Sequence, residues 1–557
     1  MLENSVEKTL SRLLLVGAPL TTLFLVSGTV TDPVNLTKLV IAGGFGFGLL
    51  GLFLVYGRGI VWRDARVPLL VLIVFNIATL NASIQSESPL SQNFFGAYGR
   101  NSGFITYLCF SFIFIGALMM RRTETFQVLV YGFLFAGIVN VLYSAWVVMF
   151  GDFIGWSNPY GNILGLFGNP NFIGAFLGML VAGCAALWFK PQQKTWIRVA
   201  LMVLSVVAAL EIRESHAIQG IVVSAAGVII VLFFWVKSRF KSNWVLAAFS
   251  GVSFVLGIMA IMGTLQKGPF SFVYKRSVSL RGTYWETAIE MGNSRPFSGV
   301  GMDAYGDWYR RARPPVALVD TPGIGITSNA AHNVVLDFFA FGGWPLFIAY
   351  IALITLTLIS IVRLAIRNKK YDATFVFLAT IWLCYELQSL ISINQIGLAV
   401  WGWVLGGAII SYDIATSPKY LDRKVTRAKK SIVSAGLVTG VSVVIGLIVA
   451  YPPMNSDSKF KSALDSRQIQ LVEAALTPTF YTISDSYRFA LAVDSFAKSN
   501  LPDQALKYAR ICTEFNPDYY TCWQLLYSLN NSSQEEKTTA VTNLRRLDPL
   551  NPDVTKF

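Results

Sequence analysis

Long uninterrupted apolar stretches dominate the chain up to residue 451, in place of the two-residue alternation of strands or the stripe of a surface helix. They recur near 12–29, 37–57, 67–81, 103–120, 126–150, 171–189, 197–211, 218–236, 243–263, 334–364, 373–393, 396–412 and 431–451. A helix satisfies its own backbone hydrogen bonds where no water can, and a bilayer crossing takes roughly 17–25 apolar residues. The pattern therefore predicts about thirteen transmembrane helices in an all-α polytopic membrane protein. The first stretch lacks a small-residue cleavage site and runs into further spans, so it reads as a retained helix.

Charge between the stretches adds an orientation. Arg58, Arg63 and Arg66 follow the second stretch, Arg121 and Arg122 the fourth, and Lys190, Lys194 and Arg198 the sixth. Lys237, Arg239 and Lys241 follow the eighth, Arg363, Arg367, Lys369 and Lys370 the tenth, and a run from Lys419 to Lys430 the twelfth. Every second connection is basic, which predicts that these connections and the N-terminus face the cytoplasm. The connections at 81–102, 151–170, 212–217 and 264–332, with everything after Tyr451, are then expected outside the cytoplasmic (inner) membrane. Composition agrees: 557 residues, 54% of them hydrophobic and 14% charged, with a mean hydropathy of +0.54, exclude an ordinary soluble protein. The formal net charge of +14 follows from this bias and points to anionic membrane lipids, with no motif for nucleic acid.

After Tyr451-Pro452-Pro453 the pattern changes to short amphipathic helices of ordinary polarity. Asn516-Pro517-Asp518 returns as Asn551-Pro552-Asp553, 35 residues on. That spacing lies close to the ~34 of tetratricopeptide repeats, and Ala490, Leu501-Pro502, Ala505-Leu506 and Tyr508-Ala509 resemble their helix–turn–helix pattern. Two domains are expected: a membrane domain over 1–455, which includes the 264–332 loop, and an extracytoplasmic helical domain over 456–557 suited to a protein partner. A helical cap that only stabilises that face fits the same residues. Cys109, Cys184 and Cys384 fall in spans as small core residues, whereas Cys512 and Cys522 fall where a disulfide is permitted.

Chemistry is sought in the polar insert that ends at His332-Asn333, because one of only two histidines stands there. A histidine at the start of a helix stays neutral against the dipole, and a neutral imidazole is what a general base requires. Asn333 and Asp337 are near enough in sequence to orient it; an interfacial anchor is the bland alternative. Arg281 and Trp285 share one helix face, and a guanidinium offers a planar fork for phosphate oxygens. Basic residues are scarce in short outward connections, so Lys38, Arg100 and Arg213 stand out. Arg100 lies in Gly99-Arg100-Asn101-Ser102-Gly103, where glycine allows close backbone approach; Arg213 neighbours Glu211 and Glu214 and can pair with them. Arg276, Arg295, Arg310, Arg311 and Arg313 are expected to be solvated or to meet headgroups. Glu386 and Gln388 are polar groups at membrane depth, either functional or hydrogen-bonded between helices. No Cys/His cluster or acidic triplet has metal-ligand spacing, so no metal and no cofactor are expected.

In order, Arg281-x3-Trp285, Pro296, Gly299-Val300-Gly301, His332-Asn333 and Gly342-Gly343 resemble the O-antigen ligase and polymerase superfamily. Gly99-Arg100-x2-Gly103, Gly168-Asn169-Pro170-Asn171 and Gly397 to Trp401 support the resemblance, which covers roughly 90–412. It implies a glycosyltransferase that moves a glycan from a polyprenyl (undecaprenyl) diphosphate carrier to a hydroxyl of a lipid, glycan or protein acceptor outside the membrane. His332 would be the base or acceptor-positioning residue, and Arg281 a diphosphate ligand. The family's second arginine commonly follows a serine; here that place reads Ser215-His216 with Arg213 displaced, which leaves Arg213 and Arg100 as the two choices. A lipid-linked glycan polymerase, or a lipid-linked sugar transporter, is the alternative.

Overall fold

The computed structural model describes residues 2–240, 242–271, 274, 280–319, 323–422 and 433–555. Lys241, Arg276 and the basic run from 423 lie outside them. The described chain is helical with no strand, apart from one isolated bridge between Thr479 and Thr482. Along the first 264 residues run α1 (Asn4–Leu23), α2 (Asn35–Leu52), α3 (Arg66–Ile84), α4 (Leu90–Phe95), α5 (Phe104–Leu118), α6 (Thr123–Phe150), α7 (Pro170–Trp188), α8 (Thr195–Glu214), α9 (Ile218–Arg239) and α10 (Asn243–Thr264). The long insert holds α11 (Arg281–Ser294) and α12 (Tyr305–Ala312). Then come α13 (Val334–Arg367), α14 (Ala373–Ser389), α15 (Ile396–Ala415) and α16 (Ala435–Ala450).

Each of the thirteen expected stretches overlaps a helix. Among the described residues nine helices are long and apolar enough to cross a bilayer, and α16 with the helix that follows it makes a tenth as a pair bent by 48°. The remainder are shorter or more polar: α5 and α14 are apolar but brief, and α1 carries Glu7, Lys8 and Arg12. Packing ranks the helices. α15 has 94% of its apolar window buried and stands at the centre, while α10 has 0% and lies at the edge of the bundle against α9.

The capping chemistry is legible locally. Asn169 opens α7 by accepting from the Asn171 N–H (2.9 Å), with Pro170 at the first helical position, where its missing N–H costs nothing. α13 is broken at Gly343 (φ 62, ψ −156), a conformation essentially confined to glycine. Pro345 cannot donate to the Phe341 carbonyl, and the Trp344 N–H turns to the Pro296 carbonyl (2.8 Å). The two carbonyls so released accept from the Gly299-Val300-Gly301 turn: Val300 N–H to Ala340 (2.9 Å) and Gly301 N–H to Phe341 (3.0 Å). Gly299 is required there, since a Cβ would lie 2.3 Å from the Phe341 backbone. The turn and the Gly342-Gly343 pair are therefore one device that docks the insert onto a kinked helix.

The basic connections are partly neutralised by acids. Arg122 pairs with Glu7 (2.8 Å), Arg121 with Asp64 (3.7 Å) and Arg367 with Asp413 (2.9 Å). Beyond α16 follow α17 (Pro452–Ser466), α18 (Ile469–Leu476), α19 (Ser486–Lys498), α20 (Pro502–Phe515), α21 (Tyr520–Ser528) and α22 (Gln534–Leu547). They enclose a second hydrophobic core, from Phe460 to Val554, separate from that of the membrane helices. α19–α20 and α21–α22 are two hairpins, each followed by an Asn-Pro-Asp turn. In those turns Asn516 accepts from the Asp518 N–H (3.1 Å) and Asn551 from the Asp553 N–H (3.0 Å), which explains the 35-residue period. Cys512 and Cys522 are joined by a disulfide.

Candidate functional site

The insert, the α3–α5 connection and the C-terminal helices meet on one face of the bundle and enclose a cavity of about 480 Å³. His332 reaches it from the residue before Asn333, which caps α13 by accepting from the N–H groups of Val335 (3.1 Å) and Leu336 (3.2 Å). The His332 backbone is left-handed (φ 55), and its ring stacks on Tyr284 with centroids 5.6 Å apart. Tyr284 is held in turn by its carbonyl, which accepts from the Tyr305 hydroxyl (2.7 Å). Asp337, buried one turn into α13, accepts from the Ala331 N–H (2.7 Å) and so fixes the chain on the other side of His332.

Arg100 stands across from these groups. Its Nη1 donates to the carbonyl (2.9 Å) and side-chain oxygen (3.2 Å) of Asn329, and its Nε lies 3.3 Å from Asp303, an ion pair without the alignment of a hydrogen bond. The other Asp303 oxygen accepts from the N–H groups of Ala97 (2.8 Å) and Ser102 (3.2 Å), which pins the Arg100 loop to the insert. Asn101 and Asp303, like His332, are left-handed (φ 55 and 57). Three such residues at one spot is the kind of strain that surrounding structure sustains at functional sites, at about 1–3 kcal/mol each. Arg281, first residue of α11, lines neither this cavity nor the one beyond Arg100 but is near enough for its charge to act on His332, and it makes no ion pair among the described residues. Burial lowers its pKa below the usual guanidinium range. Burial first, then the charges of Arg281 and Arg100, lowers His332 to about 4, so the imidazole is neutral at neutral pH.

A second cavity, about 670 Å³, lies beyond Arg100. Tyr98, Asn329 and Tyr487 line both cavities, so the two adjoin at Arg100. The second is walled by the 27–35 connection and by apolar side chains including Trp156, Phe167, Phe172 and Ile393.

Of the residues singled out from sequence, the structure gathers His332, Arg281, Arg100 and Asp337. It does not gather Arg213, which is exposed at the end of α8 and lines neither cavity, the buried face of that turn being taken by Glu211 and Ile212. Glu386 is also apart, in a void of about 30 Å³ inside the bundle beside Tyr350, Trp382 and Trp403. Its neighbour Gln388 accepts from Gln219 (3.0 Å), an interhelical hydrogen bond. Trp285 packs toward the core with its Nε1 unpaired; the aromatic partner of His332 is Tyr284, one residue earlier on the helix. Asn333 serves as a cap. Asp303, Asn329 and Tyr284 carry no motif of their own, although an acid two residues past a Gly-x-Gly turn in a long polar insert is a signal that sequence offers.

The expectation of solvated or headgroup-bound arginines is overturned. Arg313 makes a two-pronged contact with Asp548 (2.7 and 2.9 Å), both side chains 0% exposed, and Arg310 joins the same carboxylate (3.0 Å). Arg311 pairs with Asp518 (2.8 Å) and lies over Trp308, and Arg295 pairs with Glu87. Arg310, Arg311 and Arg313 clamp the C-terminal helices, because Asp518 and Asp548 stand in or just before the Asn-Pro-Asp turns, whereas Arg295 ties the insert to the α3–α5 connection through Glu87.

Residues 214–351 match the O-antigen ligase family. The match covers about a quarter of the chain. The matched region runs from the end of α8 into α13 and carries Arg281, the Gly-Val-Gly turn, His332 and the α13 kink, which supports the O-antigen ligase and polymerase superfamily. Arg100 and the C-terminal helices lie outside it. No curated protein matches the chain.

Proposed function

We propose that the chain transfers a glycan from a polyprenyl diphosphate carrier to an acceptor hydroxyl, with the face that bears the insert on the outer side of the cytoplasmic membrane. The observation that carries this reading is a neutral imidazole flanked by two guanidiniums where a polar cavity meets one of mixed lining, part of whose wall is Trp156, Leu164, Phe167, Phe172 and Ile393. Arg281 and Arg100 take the diphosphate oxygens. Arg100 retains Nη2 for this, since only Nη1 and Nε are engaged among the described residues. Arg213, exposed and lining neither cavity, is set aside as the second ligand in favour of Arg100, which lines the second cavity. The polyprenyl tail lies along the apolar side of the cavity beyond Arg100, against Trp156, Phe167, Phe172 and Ile393, and the glycan lies on the His332 side.

Diphosphate is a good leaving group, so the protein supplies charge stabilisation, placement and proton removal. His332 Nδ1 or Nε2 accepts the hydroxyl proton as the oxygen bonds to the anomeric carbon, while the carbon–oxygen bond to the diphosphate breaks and its charge passes to Arg281 and Arg100. Attack opposite the leaving group inverts the anomeric centre, and no metal takes part. Product analysis by NMR tests this: one new glycosidic bond of inverted configuration is expected. A retained configuration would exclude single displacement, and carrier moved across vesicles with no new bond would make the protein a transporter.

A further inference from the structure

The transfer reading leaves one wall of the His332 cavity without a role. That wall comes from outside the matched region: Ser484, Asp485 and Tyr487 at the start of α19, with Phe515, Tyr519 and Thr521 around the first Asn-Pro-Asp turn. We propose that it is a subsite for a neutral pyranoside, so that the C-terminal helices select the sugar on which the matched region acts. The proposal rests on the transfer reading and deepens it.

A pyranose offers an apolar face of C–H groups and a rim of hydroxyls. The wall offers the complement, aromatic rings beside carboxylate, hydroxyl and amide groups, in a volume within the usual range for small-ligand sites of about 300–1,000 Å³. Tyr487 is stacked on Tyr98 of the Arg100 loop (4.5 Å between centroids, 11° between planes), which sets it at the junction of the two cavities. Asp485 caps α19 through Oδ1 (2.8 Å to the Tyr487 N–H), and its Oδ2 has no protein partner among the described residues. Charge selects against an anion: Asp485 keeps Oδ2 unpaired at the cavity, and no cation among the described lining residues is free to answer it, since Arg310 is engaged by Asp548 and lies over Tyr520 while Asp303 and Asp307 are held by protein partners.

The wall is also preorganised, which lowers the ordering cost of binding. Ser91 donates to the Ser484 carbonyl (3.0 Å), and Asn516 donates to Asp307 (3.2 Å) and to Ser486 (3.1 Å). The arginine clamp holds the hairpins behind it.

The test titrates the full-length chain in detergent, by calorimetry and without donor lipid, with the oligosaccharide released by mild acid from the polyprenyl carrier of the source cells. Wild type is compared with Tyr487→Ala and with Asp485→Asn, which keeps the helix cap because Asn caps as well as Asp. Each variant is expected to weaken binding about tenfold, the loss of one stacked ring or one charged hydrogen-bond acceptor. In the transfer assay, KM for one sugar-bearing substrate then rises with kcat kept, and whether donor or acceptor shows the rise identifies the occupant. Unchanged oligosaccharide affinity in both variants overturns the proposal, as does a KM change confined to a peptide acceptor. Because binding is read without turnover, Tyr487-dependent binding in a protein that transfers nothing would keep the subsite and remove the transfer reading.

Discussion

At the scale of single residues the account turns on which charges face His332. Its pKa is lowered to about 4 by burial and by two guanidiniums, so the imidazole is neutral above that value and becomes protonated as pH falls through it. The acid limb of kcat/KM is therefore expected near 4 in wild type, below the ordinary 6.5. Arg281→Gln removes one of the opposing charges and should move that limb upward; a limb that stays in place would separate Arg281 from His332. Arg281→Lys keeps charge and loses the planar fork, and turnover is expected to fall by about tenfold with thermal stability in detergent unchanged. Wild-type turnover in that variant would remove Arg281 from the diphosphate. The histidine was legible as one of only two in the chain, and Arg281 only through the Arg281-x3-Trp285 pattern of the resemblance, since Arg276, Arg295, Arg310, Arg311 and Arg313 share its charge in the same insert. Tyr284 was not, because choosing between neighbours on one helix turn needs the helix rotation, and Trp285 has the same aromatic character.

At the scale of elements, helix placement was written in the apolar stretches, and the Gly-x-Gly and Gly-Gly motifs marked true backbone breaks. What sequence could not give was that the two motifs meet, since the carbonyls freed by Gly343 and Pro345 are satisfied some forty residues away in the chain. Gly343→Ala forces a side chain into a glycine-only conformation, with its Cβ 2.3 Å from the Pro296 carbonyl oxygen. A loss of at least about 1–3 kcal/mol is expected, read as a lower unfolding temperature together with weaker protection of the 296–301 turn in hydrogen exchange. Asn333→Ala removes the cap of α13 and should cost about 1 kcal/mol, whereas Asn333→Ser should recover most of it. If Asn333→Ser were stable yet inactive, Asn333 would have a role in the reaction beyond capping.

At the scale of the whole molecule, sequence divided the chain into membrane helices and a helical tail but could not show that the tail is clamped over the insert. Arginines in a long polar loop look solvated when their partners lie more than two hundred residues downstream, as Asp548 does from Arg313. Arg313→Met leaves Asp548 buried without its main partner, a change that costs about 3–5 kcal/mol in comparable pairs. Release of the C-terminal helices is expected, seen as faster proteolysis after Tyr451, and unaltered proteolysis would show that the clamp contributes little. The central claim is that glycan transfer occurs at His332. The direct measurement mixes purified protein in detergent with polyprenyl-diphosphate-linked glycan and lipid, glycan and peptide acceptors, and compares wild type with a folded His332→Ala variant. The account predicts glycosylated product from wild type and a loss of at least about a hundredfold in the variant, the scale of a missing general base. Equal product from both would contradict it and leave His332 as an anchor at the end of α13.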